Sequence, residues 1–356
     1  MRARPDDDLV TLLRPSISAG LRGVEGAVMR PDADVALPLA LRGMLALRVA
    51  QVSSSTPVGA TWAAATEEAN GPQALDQVAD PARWSELPAR TAHALAYVEQ
   101  IALDPADIGP DEVRDLESSG FSAQQVVLLS QVAAFASFKV RLLHGLSLLD
   151  GRAPTAWHRS ATSSIESHEL PDAATRFPTL DWLPSVEPAA QPATPAGADD
   201  RTPHVWSPFY LTLLHDPEVL AQRTALYNTI MTGAGELDRA DRELAALATS
   251  LTTGCRYCAT VHGQRQIRLA GDPTAAVTLA THGVDALPDD RQHAIAVFAS
   301  RMAPTPPSAS SADIARLRQV GLHDPAITDL IAVSAMFAWA NRLMMTLGTA
   351  RAGVAA

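Results

Sequence analysis

At 356 residues, 47% of them hydrophobic and 5% aromatic, the chain is long enough for two ordinary domains with real cores. Its Ala-, Leu- and Arg-rich composition and scarce β-branched runs indicate an all-α protein. A net charge of −11 argues against nucleic acid or an anionic membrane as the main partner, and no uninterrupted apolar stretch approaches the length that spans a bilayer.

The N-terminus, Met1-Arg2-Ala3-Arg4-Pro5-Asp6-Asp7-Asp8, leads into no signal-peptide core. With two cysteines in all, the expected location is the reducing cytoplasm. Sliding the sequence against itself by about 200 residues then reveals a duplication. Arg42-Gly43-Met44-Leu45-Ala46-Leu47 matches Arg242-Glu243-Leu244-Ala245-Ala246-Leu247, and Leu87-Pro88 with His93-Ala94 matches Leu287-Pro288 with His293-Ala294. After a one-residue slip, Val132-Ala133-Ala134 and Arg141-Leu142 match Val333-Ser334-Ala335 and Arg342-Leu343. The expected division is a helical domain over 1–150, a Pro/Ser/Ala-rich linker over 151–203 and a second helical domain over 204–356.

Within the linker, residues 188–198 read as extended chain, while Trp182, Leu183 and Pro184 are apolar and point to a docking contact. In the second copy, Asp216-Pro217 opens a helix carrying Val219, Leu220, Leu226 and Ile230 at helical spacing. The Ala/Leu-rich run Arg239 to Leu251 is the next helix, broken at Thr252-Thr253-Gly254. Cys255 then begins a further helix. Another runs from Asp289 to Met302 and stops at Pro304-Thr305-Pro306-Pro307. Ser311 or Asp313 caps a short helix ended by Gly321, and Asp324-Pro325 starts a last one closed by Gly348. No strand is expected. Met336, Met344 and Met345 read as core filler, and His93 and His293 as packing residues.

The chemistry concentrates around the only two cysteines, Cys255 and Cys258. At about 100° per residue, Cys255, Cys258 and His262 share roughly a 60° arc of one helix face. Glu243 reaches the same place from the preceding helix. Two sulfurs three residues apart close and reopen a disulfide, and the histidine and carboxylate supply a proton relay. These are the parts of a thiol oxidoreductase. Helix-end electrostatics alone favour Cys255 as the thiolate, whereas His262 follows Cys258 at i,i+4 as a base in direct reach. At the matching positions the first copy has Gly43, Ser55, Val58 and Trp62, so it has lost this chemistry. It reads as a structural partner, or, through Trp62, as a separate binding pocket.

The spacing of Glu243, Cys255, Cys258 and His262 resembles the alkylhydroperoxidase D / carboxymuconolactone decarboxylase-like superfamily. Phe337-Ala338-Trp339-Ala340-Asn341-Arg342 is similar to the Asn-Arg segment of its peroxidase-related branch, which makes Asn341 and Arg342 secondary candidates. The resemblance implies two tandem all-α domains, the first degenerate. It implies that Cys258 attacks an organic hydroperoxide, Cys255 resolves the sulfenic acid into a disulfide, His262 takes the thiol proton and Glu243 completes the relay. It further implies no cofactor and no metal, recycling by a dithiol, thioredoxin-like or lipoyl-bearing protein, and assembly into a homo-oligomer. Tyr257 stands where well-studied members carry a second histidine. Two other functions stay open at this point: a decarboxylase-type lyase, and a non-catalytic redox sensor or scaffold. Zinc held by Cys255, Cys258, His262 and Glu243 is the competing explanation for the cluster.

Overall fold

Two helices apolar around their whole circumference occupy the centre of the computed structural model, which describes residues 8–31, 36–152, 177–192 and 206–352. The first half is built from α1 (Pro15–Met29), α2 (Leu39–Val52), α3 (Thr56–Asn70), α4 (Gln73–Ala79), α5 (Ala89–Leu103), α6 (Pro110–Ser118) and α7 (Ala123–Leu149). After the short α8 (Pro208–Leu213), the second half repeats that order. It comprises α9 (Pro217–Met231), α10 (Arg239–Thr253), α11 (Arg256–Ala270), α12 (Thr274–His282), α13 (Asp290–Met302), α14 (Ser311–Gln319) and α15 (Asp324–Thr346). The fold is all-α. Like elements meet across the middle, α7 against α15 and α1 against α9, as a two-fold relation requires.

The centre is α7 and α15. Phe135 and Phe138 of α7 surround Trp339 of α15, with ring centroids 5.3 and 5.6 Å away, and the Trp339 indole N–H donates to Gln131 Oε1 at 3.1 Å. Contrary to the sequence expectation, α7 is long and apolar enough to cross a bilayer, and its most apolar stretch is 100% buried among the other helices. A search for an unbroken apolar run passes over it because Gln131 and Lys139 interrupt the pattern. Both polar side chains find partners inside the protein, Lys139 with Glu25 and the Gln131 carbonyl oxygen with Trp339, although the Gln131 amide nitrogen is buried without one.

The repeated arginines explain the repeated motif. Arg42 donates through Nε to the Leu37 carbonyl at 3.0 Å, and Arg242 does the same to Leu237 at 2.8 Å. Each guanidinium thereby ties the start of its helix to the turn before it and satisfies carbonyls left free at the end of the preceding helix. Arg141 and Arg342, the other repeated pair, are buried at the centre and both donate to Thr305 Oγ1, at 2.8 and 3.0 Å. Arg342 also reaches the Ala102 carbonyl in the first half at 2.8 Å.

Two strands, which the sequence did not predict, form a small antiparallel ribbon: β1 (Leu180–Pro184) and β2 (Gly348–Ala352). Trp182 pairs with Ala350, and its indole N–H donates to the Met344 carbonyl at 2.8 Å. Each strand is five residues long and its partner lies far away in sequence, so neither carries a local signal. Residues 153–176 and 193–205 of the expected linker lie outside the described residues.

Candidate active site

The turn between α10 and α11 is built to deliver the cysteines. Gly254 ends α10 with φ +79°, a left-handed conformation that glycine adopts without strain. The Cys255 N–H returns to the Ser250 carbonyl at 2.9 Å, which makes Cys255 the N-cap of α11 and puts Cys258 in its first turn. Asn341 of α15 holds this turn from behind. Its amide accepts from Ser250 Oγ at 3.1 Å and donates to Thr253 Oγ1 at 2.6 Å. Asn341 thus positions the backbone that carries the sulfurs, whereas Arg342 bonds to the first half. Among the described residues neither side chain hydrogen-bonds to a cysteine.

The four principal residues form two buried pairs on α10 and α11, Glu243 with His262 and Cys255 with Cys258. Glu243, Cys255, Cys258 and His262 are all buried. The two sulfurs are unoxidised and hydrogen-bonded to each other. Glu243 Oε2 accepts from His262 Nδ1, which fixes the tautomer and leaves Nε2 with a lone pair. The imidazole edge rests on the Phe337 ring, at a centroid distance of 4.4 Å. Burial pushes His262 below the ordinary imidazole range despite the opposing pull of Glu243. It is therefore a neutral base at neutral pH. The neighbouring Cys255 sulfur, and then burial, push the Cys258 thiol well up, while Arg223 and Arg265 act the other way.

Two expectations need correction. Among the described residues no hydrogen bond joins Cys258 to His262, because the thiol is turned toward Cys255 and Nδ1 toward Glu243. The i,i+4 spacing puts them on one helix without a hydrogen bond between them. Met344 and Met345 are only partly buried, and they line a cavity of about 150 Å³ beside Cys255 rather than filling the core. Tyr257, Trp182, Ala106 of the first half and β2 complete much of its wall. Cys255 faces this cavity, and Cys258 does not line it. The ribbon side of the site is sealed by Phe177, whose ring leaves no room for a side chain at Gly263: a Cβ there would lie 2.3 Å from it. Among the described residues, no three His, Cys, Asp or Glu side chains converge as metal ligands would.

Among the described residues the first half carries no such Cys and His–Glu pairs. Trp62 is buried under the Lys139 ammonium, 5.7 Å from its ring centroid, and Lys139 in turn pairs with Glu25 at 3.1 Å. A cavity of about 920 Å³ does open beside Ser54, Ser55 and Thr56, but Trp62 is not on its wall. His93 is exposed and bonded to Ser119, and His293 is half-buried near Asp285, so neither belongs to a core.

Sequence reasoning missed Arg223 on α9. It is 4% exposed, stands 5.7 Å from the Trp339 ring centroid and acts electrostatically on Cys258. No motif flags a single arginine on an amphipathic helix. Arg265, on the same helix as the cysteines, donates to the Tyr227 hydroxyl at 3.3 Å. Burial drives that phenol up to about 12.

Fold and site together define an all-α protein with a buried Cys-x-x-Cys beside a carboxylate–imidazole pair. Residues 217–299, from α9 into α13, match the carboxymuconolactone decarboxylase family, so the second half carries a domain of that family. An uncharacterized peroxidase-related protein from Silicibacter sp. TM1040 is 29% identical, with 39% of this chain and 75% of that one covered at a TM-score of 0.36. A second, from Ralstonia eutropha JMP134 and described as an alkylhydroperoxidase AhpD core, is 30% identical, with 38% and 72% covered at 0.36. No curated protein matches the chain.

Proposed function

We propose that the chain is a thiol-dependent hydroperoxide reductase. The observation that carries this reading is the meeting, in one buried place, of two hydrogen-bonded thiols and a neutral His262 oriented by Glu243. The Cys258 proton passes to His262 Nε2 through a water or after the thiol turns from Cys255. The resulting thiolate attacks the terminal oxygen of R–O–OH, an S–O bond forms as the O–O bond breaks, and RO⁻ leaves as ROH by taking up the proton. Cys255 then attacks the sulfenic sulfur. The disulfide forms, water departs, and two electrons have moved from the thiols to the peroxide. A dithiol protein must return those electrons to complete a cycle. The cavity beside Cys255, walled by Met344, Met345 and Trp182, suits an apolar R group.

A second assignment exchanges the roles of the sulfurs. It is favoured by one fact: Cys255 faces the cavity and Cys258 does not. Stopped-flow mixing of the reduced protein with cumene hydroperoxide tests both. Rapid peroxide consumption lost in Cys258→Ser, with a trapped sulfenic acid on Cys258 in Cys255→Ser, supports the first assignment; a sulfenic acid trapped on Cys255 in Cys258→Ser supports the second. If neither substitution slows peroxide consumption, the proposal fails.

A further inference from the structure

Arg223 carries a buried positive charge that no ion pair balances among the described residues. Among the described residues no carboxylate lies within ion-pairing distance of it and no hydrogen bond engages it, and its Nε is buried without a partner. Its guanidinium sits 5.8 Å from the Phe209 ring centroid and 5.7 Å from that of Trp339. Its electrostatic neighbours are the hydroxyls of Tyr210 and Tyr227 and the Cys258 thiol, none of them a carboxylate. A guanidinium does not shed its proton in a protein, so the charge persists. Burying a charge without a partner opposes folding.

The architecture does not require it. Helices α1 and α9 are both fifteen residues long, begin with proline and end with methionine, and pack against each other. Laid together, they put Leu21 at the position of Arg223, and Leu21 is 2% exposed. The half without cysteines fills that position with an ordinary apolar side chain. The half with cysteines fills it with a cation.

We infer that Arg223 is the fixed counter-charge for the sulfur anion that forms on Cys258. This deepens the thiol reading and rests on ionisation of that sulfur. The other groups that act on it are Cys255, Arg265 and Tyr257 from its own helix or its cap and Tyr227 from α9, with the Glu243–His262 pair beyond. Arg265 is half-buried and already engaged with Tyr227, so its field is the more screened of the two cations. When the Cys258 thiol loses its proton, the S–H bond breaks, the electron pair stays on sulfur, and Arg223 acquires the anion it lacks at rest. It acts before the peroxide arrives, by holding more of the nucleophile in its reactive form.

The test is a pH titration of thiolate ultraviolet absorbance in a Cys255→Ser background, which leaves one sulfur. Arg223→Leu, the residue of the matching helix, is expected to raise the midpoint by about one pH unit or more, and Arg223→Lys to keep it near that of the parent. Should Arg223→Leu fail to fold, Arg223→Gln is read in its place. A midpoint unmoved by loss of the charge in a folded variant overturns the inference. The measurement needs no peroxide, so the two claims separate. A raised midpoint in a protein that consumes no hydroperoxide keeps the counter-charge and removes the reductase. An unmoved midpoint with rapid turnover does the reverse.

Discussion

His262 works in the opposite sense to a surface histidine. Burial disfavours its charged form and outweighs the Glu243 carboxylate, so its titration is displaced below the ordinary imidazole range. The base is therefore present at neutral pH and is lost only as pH falls through its lowered value. Glu243→Gln removes the charge that pulls that value upward. The acid limb of the pH–rate profile is then expected to move to lower pH, while the plateau rate falls about tenfold or more because the ring is less firmly oriented. A limb that moves to higher pH would contradict this assignment. At this scale the sequence was informative where spacing encodes a helix: Cys258 and His262 lie on one helix with Cys255 at its head, and Glu243 bonds to His262 from the helix before it. It was silent on Arg223, whose meaning lies in what surrounds it, and it misjudged Met344 and Met345, whose exposure depends on a ribbon no local pattern announces.

Among the elements, helix ends were legible and the ribbon was not. Gly254 after an Ala/Leu run and Asp216 before Pro217 are signals written in a few adjacent residues, and both mark observed boundaries. The β1–β2 pairing depends on residues far apart in the chain, with Trp182 as its anchor. The ribbon also forms part of the wall over Cys255. Trp182→Ala is expected to lower stability by about 3 kcal/mol or more through the space it leaves. It should also speed alkylation of Cys255 on the order of tenfold, equivalent to about 1.4 kcal/mol of lost local protection. Mass spectrometry of iodoacetamide-treated protein measures this; an unchanged Cys255 rate would show that the ribbon does not guard the sulfur.

For the whole molecule, the repeat in sequence corresponds to a repeat in helix order, and the contact between the halves is a true interior. Trp339 lies between Phe135 and Phe138 with its indole N–H satisfied by Gln131. Trp339→Ala removes this cluster and one hydrogen bond, and is expected to destabilise the protein by about 3–5 kcal/mol in urea unfolding. A loss under about 1 kcal/mol would mean that the halves do not depend on each other through this contact. Composition alone indicated all-α, because Ala and Leu dominate and β-branched runs are rare. The packing of like helix on like could not be read in advance, since nothing in a local window says which apolar face meets which.

The seam between α7 and α15 has a consequence for dilution. Two separate chains meeting through such a surface would part as their concentration fell. Joined in one chain, the two halves keep a local concentration of the order of millimolar, whatever the bulk amount. The turn that carries the sulfurs is held by Asn341 of α15, the helix on the second-half side of that seam. Its geometry is therefore independent of how scarce the protein becomes.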